Sequence, residues 1–284
     1  MFWKKKKPKN KVKPKVAPKS PMSVVSTPEH PKRESLKPKT ERKKPEHIKE
    51  KIDSKKEFLK VFERLAYRHN NWDVWRDFIL MFACALSNPV DKKHYDQRES
   101  LYLQTIKRYN KQEQPLFSEL AAYVVMALEE NPEQDFLGSI FMELNLGNEH
   151  KGQFFTPYHV CELMAEISMD DVVQKVKEDG YITVCDPCCG SGANLIAAIH
   201  TTKRKLEKVG WNYQNHILLS GQDIDMTVGL MCYIQLSLLG VAAYIKIGNT
   251  LTEPMSKLDS MENFWFTPMY FSDVWTMRRL FRRL

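Results

Sequence analysis

A glycine-rich turn between an apolar run and a helical stretch constrains the fold of this chain more than any other feature. Residues 181–185 form a short β-rich run, residues 186–192 read DPCCGSG, and a helix is predicted over residues 193–200. Gly190 and Gly192 allow the backbone to approach a ligand without a clash from a Cβ atom. Because ligands of open parallel sheets bind at the carboxyl ends of the strands, the turn marks a candidate binding site.

The alternation of strands and helices continues beyond this turn. A second apolar run covers residues 217–220, a helix is predicted over residues 226–239, and a third apolar run covers residues 241–247. Residues 264–266 are a candidate fourth strand. Strands that alternate with helices are typical of a parallel α/β sheet, and we predict four strands of one.

The turn alone does not identify its ligand, since it is compatible with nucleotide phosphates, NAD or S-adenosylmethionine (AdoMet). No Gly-Lys-Ser/Thr sequence follows it, and the three-glycine spacing of the dinucleotide fingerprint is absent. The second strand ends in Gly221-Gln222-Asp223, which places an acid where a ribose diol would lie. Asp223 is equally well explained as the cap of the helix that follows, and Asp225 is a weaker candidate for the ribose role.

Residues 57–150 predict a small helical domain in front of the α/β domain at 151–284. An apolar stripe with three- and four-residue spacing begins at Phe58, and three similar stripes follow it. Asp135 directly precedes the last stripe and is a candidate helix cap. The aromatic residues of this region are most simply core residues.

Residues 1–56 are rich in Lys and Pro and are predicted to be disordered. They hold 20 Lys or Arg against 6 Asp or Glu, eight of the fifteen prolines and no glycine. Such a segment buries too little apolar surface to offset the entropy of ordering. The other residues hold 23 basic and 29 acidic side chains, so the net charge of +8 comes from the tail. The tail is either a solubilising segment or an arm that binds nucleic acid.

Neither a membrane protein nor a secreted one is expected. The longest apolar run, near residues 78–86, is far shorter than the roughly 18–20 residues that span a bilayer. The basic start of the sequence has no apolar segment after it, so we expect no signal peptide. Six irregularly spaced cysteines predict reduced thiols in the cytoplasm. Three of them lie in or next to the glycine turn without a second ligand pair, so we expect no bound metal.

Four motifs in order resemble those of the adenine-specific (N-6) DNA methyltransferases. They are residues 152–157 (GQFFTP), 186–192, 221–223 (GQD) and 248–251 (GNTL). The sequence is most similar to the modification subunits of type I restriction-modification systems, which also have a helical domain before the first motif. The resemblance covers about residues 57–270. It implies a class I, Rossmann-like methyltransferase fold with a parallel sheet, and AdoMet as the cofactor.

The resemblance also implies roles for matching positions. Three residues of the first motif would line the methionine end of AdoMet: Phe154, Thr156 and Pro157. The glycine turn would hold the amino-acid and ribose portions of AdoMet through Asp186, Gly190 and Gly192, and Cys188 of the same turn is a further cofactor-binding candidate. Asp223 would accept hydrogen bonds from the ribose hydroxyls. Asn249 stands where the family usually has Asp, and its amide oxygen can accept the same bond from an adenine amino group.

The catalytic motif departs from the family pattern. The family uses Asn-Pro-Pro and an aromatic residue to bind the target amino group and to stack on the flipped base. This sequence has no Asn-Pro-Pro, and the matching segment reads Thr267-Pro268-Met269-Tyr270. Thr267, Pro268 and Tyr270 are therefore the catalytic candidates, with Tyr270 as the stacking ring. Because Thr is shorter than Asn, we expect methyl transfer to be absent or slow.

Three functions remain open at this stage. The chain is an adenine-specific DNA methyltransferase or a subunit of one, a catalytically silent AdoMet-binding relative with a regulatory or DNA-binding role, or a nucleic-acid-binding accessory protein without cofactor. Only four of the seven strands of a methyltransferase sheet can be placed, followed by a helix over residues 272–284 whose apolar stripe contains Val274, Met277, Phe281 and Leu284. The fourth strand would then be an open edge, covered by another subunit or a second copy. DNA is the other expected partner.

Overall fold

The computed structural model describes residues 52–147, 155–256 and 258–282, which fold as a mixture of helices and one sheet. Five helices precede the sheet: α1 (Ser54–Ala66), α2 (Asn71–Ser87), α3 (Tyr95–Ile106), α4 (Gln114–Glu130) and α5 (Phe136–Glu143). Five more accompany it: α6 (Tyr158–Ser168), α7 (Val172–Asp179), α8 (Ala193–Glu207), α9 (Met226–Leu238) and α10 (Asp273–Arg282). The predicted disordered tail lies almost entirely outside these residues. Helix α1 begins at Ser54, inside the segment assigned to the tail.

The sheet contains four strands in the order β1 (Ile182–Asp186), β2 (Ile217–Asp223), β3 (Ala242–Ile247) and β4 (Phe264–Phe266). The first three are parallel, as predicted, and Asp186 lies opposite Gly221 while Asp223 lies opposite Ile247. The loops that follow these strands therefore meet at one edge of the sheet. Strand β4 is antiparallel to β3, which corrects the expectation of a fully parallel sheet.

Alternate residues of β2 and β3 face two different cores, as expected from the two-residue period of a strand. Leu219 and Ile245 point into the main core with helices α8 and α9. Leu218 and Ala242 point the other way and pack against Trp275 of helix α10. The sheet is therefore covered on both faces over its central strands.

The helical part and the sheet share the main core. In the helical part, Phe58, Trp75 and Phe78 make edge-to-face contacts with one another, so the aromatic residues are core residues as predicted. Helices α2 and α5 both pack on helix α9, which follows the second strand. The predicted division at residue 150 stays a prediction, because residues 148–154 lie outside the described part of the chain.

Helix α10 buries a different face from the one predicted. Val274, Met277 and Phe281 are exposed, and Leu284 lies outside the described residues. The buried residue is Trp275, whose ring meets Tyr181 edge-on at 5.4 Å and whose Nε1 donates to the Gln214 carbonyl at 3.0 Å. One large aromatic ring, and not the apolar stripe, therefore determines how this helix packs.

A buried arginine reaches the outer edge of β4. Arg98 of helix α3 donates to the Phe264 carbonyl at 2.7 Å and to the Asp91 carboxylate at 2.8 Å, and its guanidinium lies 3.9 Å from the Trp265 ring centroid. The chain thus covers part of this edge itself, and coverage of the rest by another subunit or a second copy stays a prediction. Among the described strands, the other edge belongs to β1, which pairs with β2 alone.

Among the helices of the described residues, none combines the length and the apolar composition needed to cross a bilayer.

Candidate functional site

A cavity of about 990 Å³ lies where the first three strands end. Its walls come from the turn after β1, the ends of β2 and β3, and the segment before helix α6. Five of the predicted cofactor-binding residues line it together: Thr156, Cys188, Gly190, Asp223 and Asn249. Its volume is in the range of about 300–1,000 Å³ that is typical of small-molecule and cofactor sites.

The turn after β1 needs its two glycines for different reasons. Gly190 has a φ of +56°, and a Cβ atom there would lie 3.3 Å from the ring of Phe155. Gly192 has a φ of +101°, and a Cβ atom there would lie 2.8 Å from the Sγ of Cys232. Gly190 is part of the cavity wall, whereas Gly192 lets the start of helix α8 pack closely on helix α9.

Asp186 holds this turn through two hydrogen bonds. Its Oδ1 accepts from the Cys188 amide at 3.0 Å, and its Oδ2 accepts from the Asn194 side chain at 3.2 Å. It is not among the residues that line the cavity, and neither is Gly192. Both predicted residues therefore belong to the support of the site, while Asn194, which the sequence analysis did not select, lines it.

Asp223 joins the turns after β1 and β2. Its Oδ2 accepts from the Gly190 amide at 3.0 Å, and its Oδ1 accepts from the Asp225 amide at 2.9 Å. Burial raises the pKa of the Asp223 carboxyl above its usual range, while these two hydrogen bonds act to lower it. The helix-cap role belongs to Asp225, whose carboxylate accepts from the Thr227 amide at 2.9 Å. Asp223 is thus not the cap of helix α9, and it lines the cavity.

The loop after β3 forms the third wall. Asn249 accepts from the Leu251 amide at 2.9 Å, and Thr250 donates its hydroxyl to the Pro187 carbonyl in the first turn. Lys246, within β3, holds the far part of the loop through the Asp259 carboxylate at 2.8 Å and the Glu253 carbonyl at 2.9 Å. This loop is therefore anchored both to the sheet and to the glycine turn.

The motif before helix α6 is only partly described. Phe154 lies outside the described residues, and Pro157 precedes helix α6 without lining the cavity. Thr156 lines it, together with Phe155, whose ring is 5.3 Å from that of Phe141 in helix α5. Phe155 was not selected from the sequence, although it belongs to the quoted motif.

The three catalytic candidates lie at the opposite edge of the sheet. Thr267 is fully buried, and its hydroxyl donates to the Val241 carbonyl at 2.7 Å and accepts from the Ala243 amide at 2.8 Å. Those partners lie at the amino end of β3, whereas the cavity lies at its carboxyl end beyond Ile247. Four residues of strand separate the two ends, roughly 13 Å at 3.3 Å per residue.

The reversed direction of β4 explains this placement. A parallel fourth strand would deliver Thr267 to the cavity, but an antiparallel one delivers it to the other edge. Pro268 and Tyr270 follow in a short 3-10 turn, and the Tyr270 ring packs on Phe266 at 4.7 Å and under the Arg279 guanidinium at 4.0 Å. The structure therefore does not bring these three candidates to the cavity, and their catalytic role stays a prediction.

No group of three His, Cys, Asp or Glu side chains suited to a metal ion occurs among the described residues. All six cysteines are free thiols. The cavity wall is mainly apolar, with a few polar side chains that include the carboxylates of Asp223 and Asp225 and the hydroxyls of Thr156 and Thr250. That donor and acceptor set is suited to an organic ligand that offers hydroxyl groups and positive charge.

A comparison with protein families agrees with this geometry. A family model described as N-6 DNA methylase matches residues 135–282, just over half of the chain. The match begins at the cap of helix α5 and includes all three loops that wall the cavity.

Proposed function

Because the chain belongs to the N-6 DNA methylase family, we propose that its cavity binds AdoMet and that the protein takes part in adenine-specific DNA methylation. One observation supports this most directly: the ends of three parallel strands bring Gly190, Asp223 and Asn249 into one cavity. In this arrangement Asp223 would accept hydrogen bonds from the ribose hydroxyls. AdoMet, when bound, supplies an electrophilic methyl group.

The charge of the cavity supports the same ligand. Asp223 and Asp225 are both acidic, and AdoMet carries a positive sulfonium and an ammonium group. Among the described residues that line the cavity there is no Lys or Arg, which argues against a ligand with several phosphates. The oxygen of Asn249 already accepts from the Leu251 amide, but a carbonyl oxygen can accept a second bond.

We further propose that the chain binds the cofactor but does not transfer the methyl group without help. The sequence lacks Asn-Pro-Pro, and Thr267 is buried against the amino end of β3. Two described residues, Asn194 and Asn249, bring side-chain amides to the cavity, but neither follows the fourth strand as the family's Asn does. This favours a subunit or regulatory role within a restriction-modification system, in which another polypeptide binds the target base.

The β1 edge is a better position for a protein partner than the β4 edge. Arg98 already binds the outward carbonyl of Phe264. On β1, Thr183 and Cys185 are exposed, and no described strand pairs with the outer edge. Unpaired strand edges are normally covered in natural proteins, so we propose that a partner strand pairs there.

The basic tail is proposed to bind DNA without sequence preference. Residues 1–56 carry an excess of basic side chains, whereas the rest of the chain is mildly acidic. Contacts between Lys or Arg and phosphates release counterions, so affinity from such contacts falls steeply with salt. The free thiols and the composition are consistent with the cytoplasm as the proposed location.

Three measurements test these proposals. Calorimetric titration with AdoMet should give saturable binding with one site per chain, and no binding would refute the cofactor assignment. A labelled-methyl transfer assay on mixed DNA should give no transfer by the isolated chain, and robust transfer would refute the need for a partner. For the tail, a variant without residues 1–51 keeps helix α1 and should lose both DNA affinity and salt dependence.

A further inference from the structure

A hydrogen-bonded cluster lies directly behind the glycine turn and connects it to the helical part. Asp135, at the cap of helix α5, accepts from the Gly138 amide and from the Gln235 side chain of helix α9, both at 2.8 Å on Oδ1. Its Oδ2 accepts from the hydroxyl of Ser191, which lies between the two glycines of the turn. One carboxylate therefore binds three separate segments of the chain.

Gln235 closes the cluster. Its Nε2 also donates to the Ser191 carbonyl at 2.9 Å, and its Oε1 accepts from the Leu137 amide at 3.1 Å. Gln235 and Ser191 are almost fully buried. Both the side chain and the carbonyl of Ser191, a residue that also lines the cavity, are thus held by this cluster.

Gly138 leaves just enough space for these contacts. A Cβ atom at this position would lie 2.0 Å from Oδ2 of Asp135 and 2.6 Å from Oγ of Ser191. Contacts this short require the neighbours to move, so any larger residue at 138 would separate Asp135 from Ser191. The glycine is needed for the cluster and not for its backbone angles, since its φ is that of an ordinary helix residue.

We infer that Asp135 is a positioning residue for the cofactor turn, which it holds in place through Ser191. The inference rests on the proposed function, because the turn is assigned to AdoMet. With Ser191 fixed, the Gly190 amide is held toward Asp223 and the cavity wall keeps its shape. Other bonds of the turn run from the Cys188 and Cys189 amides to Asp186 and the Gln222 carbonyl, and from the Gly190 amide to Asp223. None of them holds the side chain of Ser191.

A simple helix cap is the competing explanation, and another cap of the same chain provides a control. Asp53 accepts from the Lys56 amide at 3.1 Å at the start of helix α1, without contact to the turn. A role limited to capping needs only the bond from Asp135 to Gly138. The bonds to Ser191 and Gln235 have no counterpart at Asp53 among the described contacts.

The experiment measures backbone amide exchange of residues 189–192 in the unliganded full chain, together with AdoMet affinity. Three variants and one control are compared: Asp135→Ala, Ser191→Ala, the double variant and Asp53→Ala. Ser191→Ala removes the link to Asp135 but leaves the cap intact, so it decides the question even if Asp135→Ala does not fold. Circular dichroism establishes which variants are folded.

We expect amide exchange in the turn to accelerate at least tenfold in both single variants, and AdoMet to bind at least tenfold more weakly. The double variant should bind AdoMet no more weakly than Asp135→Ala alone, since both changes break the same hydrogen bond between Asp135 and Ser191. Asp53→Ala should leave the turn and the affinity unchanged. Turn exchange within twofold of the unmodified protein in Ser191→Ala would overturn the inference. If the unmodified chain does not bind AdoMet, the proposed function fails, while the exchange rates still decide the role of Asp135.

Discussion

The carboxylate of Asp223 accepts a hydrogen bond from the backbone amide of Gly190 at 3.0 Å. The two residues are 33 positions apart and come from neighbouring strand ends. This bond fixes the distance between the glycine turn and the acid that is proposed to bind the ribose. The carboxylate is therefore already oriented before a ligand arrives.

Asp223→Ala is expected to weaken AdoMet binding by about one to two orders of magnitude. The reason is the loss of a charged acceptor, which contributes on the order of 1.5–3 kcal/mol per hydrogen bond. Calorimetric titration measures the change. Asp96→Ala removes the same charge from an exposed position of helix α3 and should leave the affinity unaltered. Equal affinity in a folded Asp223→Ala protein would contradict the assignment.

AdoMet affinity is also expected to fall at acidic pH. Burial raises the pKa of Asp223 in the free protein above the ordinary value of about 4. Ribose hydroxyls and positive charge favour the ionised carboxylate, so affinity should rise with pH through this raised pKa and level off above it. Asp223→Asn cannot titrate and should lack the slope. The same slope in both proteins would show that another group is responsible.

The pKa of Asp223 has the opposite effect on the stability of the free protein. An acid whose pKa is higher in the folded than in the unfolded state binds more protons when folded. Its contribution to stability is thus present at low pH and lost as pH rises through the folded pKa. Denaturation of Asp223→Asn should therefore show a smaller loss of stability between about pH 4 and neutral pH than the unmodified protein does.

Thr267→Val is expected to destabilise the fold without changing AdoMet binding. The substitution removes the hydroxyl that hydrogen-bonds the Ala243 amide and the Val241 carbonyl. Because buried polar groups then lack a partner, the free energy of unfolding should fall by about 1–3 kcal/mol. Urea denaturation measures the loss, and Thr183→Val on the exposed face of β1 is the matched control. The Thr267→Asn, Met269→Pro double variant should gain no methyl transfer, since this segment is far from the cavity. Activity in that variant would show that β4 reaches the cofactor.

Gly192→Ala is expected to cost more stability than Gly210→Ala. Both glycines have a positive φ, which costs an L-residue on the order of 1–2 kcal/mol. A Cβ atom at 192 also meets Cys232 at 2.8 Å, whereas one at 210 meets nothing within 4 Å. The difference between the two variants in thermal or urea unfolding isolates the effect of packing between helices α8 and α9. Equal losses would mean that only the backbone angle matters.

The sequence was sufficient to predict which strand ends meet at the cavity, because that information is local. The glycine turn and the acid of the second strand each follow a strand directly, and parallel strands align their ends. The family assignment is confirmed by the match at residues 135–282, while the finer similarity to type I modification subunits stays a prediction. Choosing Asp225 over Asp223 as the helix cap needed the observed hydrogen bonds, since both residues stand close to the helix start.

The direction of β4 could not be predicted. Three aromatic residues have no directional pattern, and the orientation depends on distant contacts, such as Arg98 with the Phe264 carbonyl, 166 positions apart. The buried face of helix α10 could not be predicted for a similar reason. Trp275 is buried because Tyr181 and Leu218, which are distant in the sequence, form its pocket. The cluster of Asp135, Ser191 and Gln235 likewise joins residues that the sequence separates by up to 100 positions.

Helix α9 is buried on nearly every side, since the sheet covers one face and helices α2 and α5 cover another. A fragment that starts at residue 151 would lack helices α2 and α5 and would expose to water the face of helix α9 that packs on them, so it should aggregate when expressed alone. A chimera that joins the helical part of one family member to the sheet of another would meet the same obstacle. Its two parts would contribute side chains from different proteins to one shared core. The helices before the sheet thus share one core with the methylase portion, and we expect the two parts to fold together.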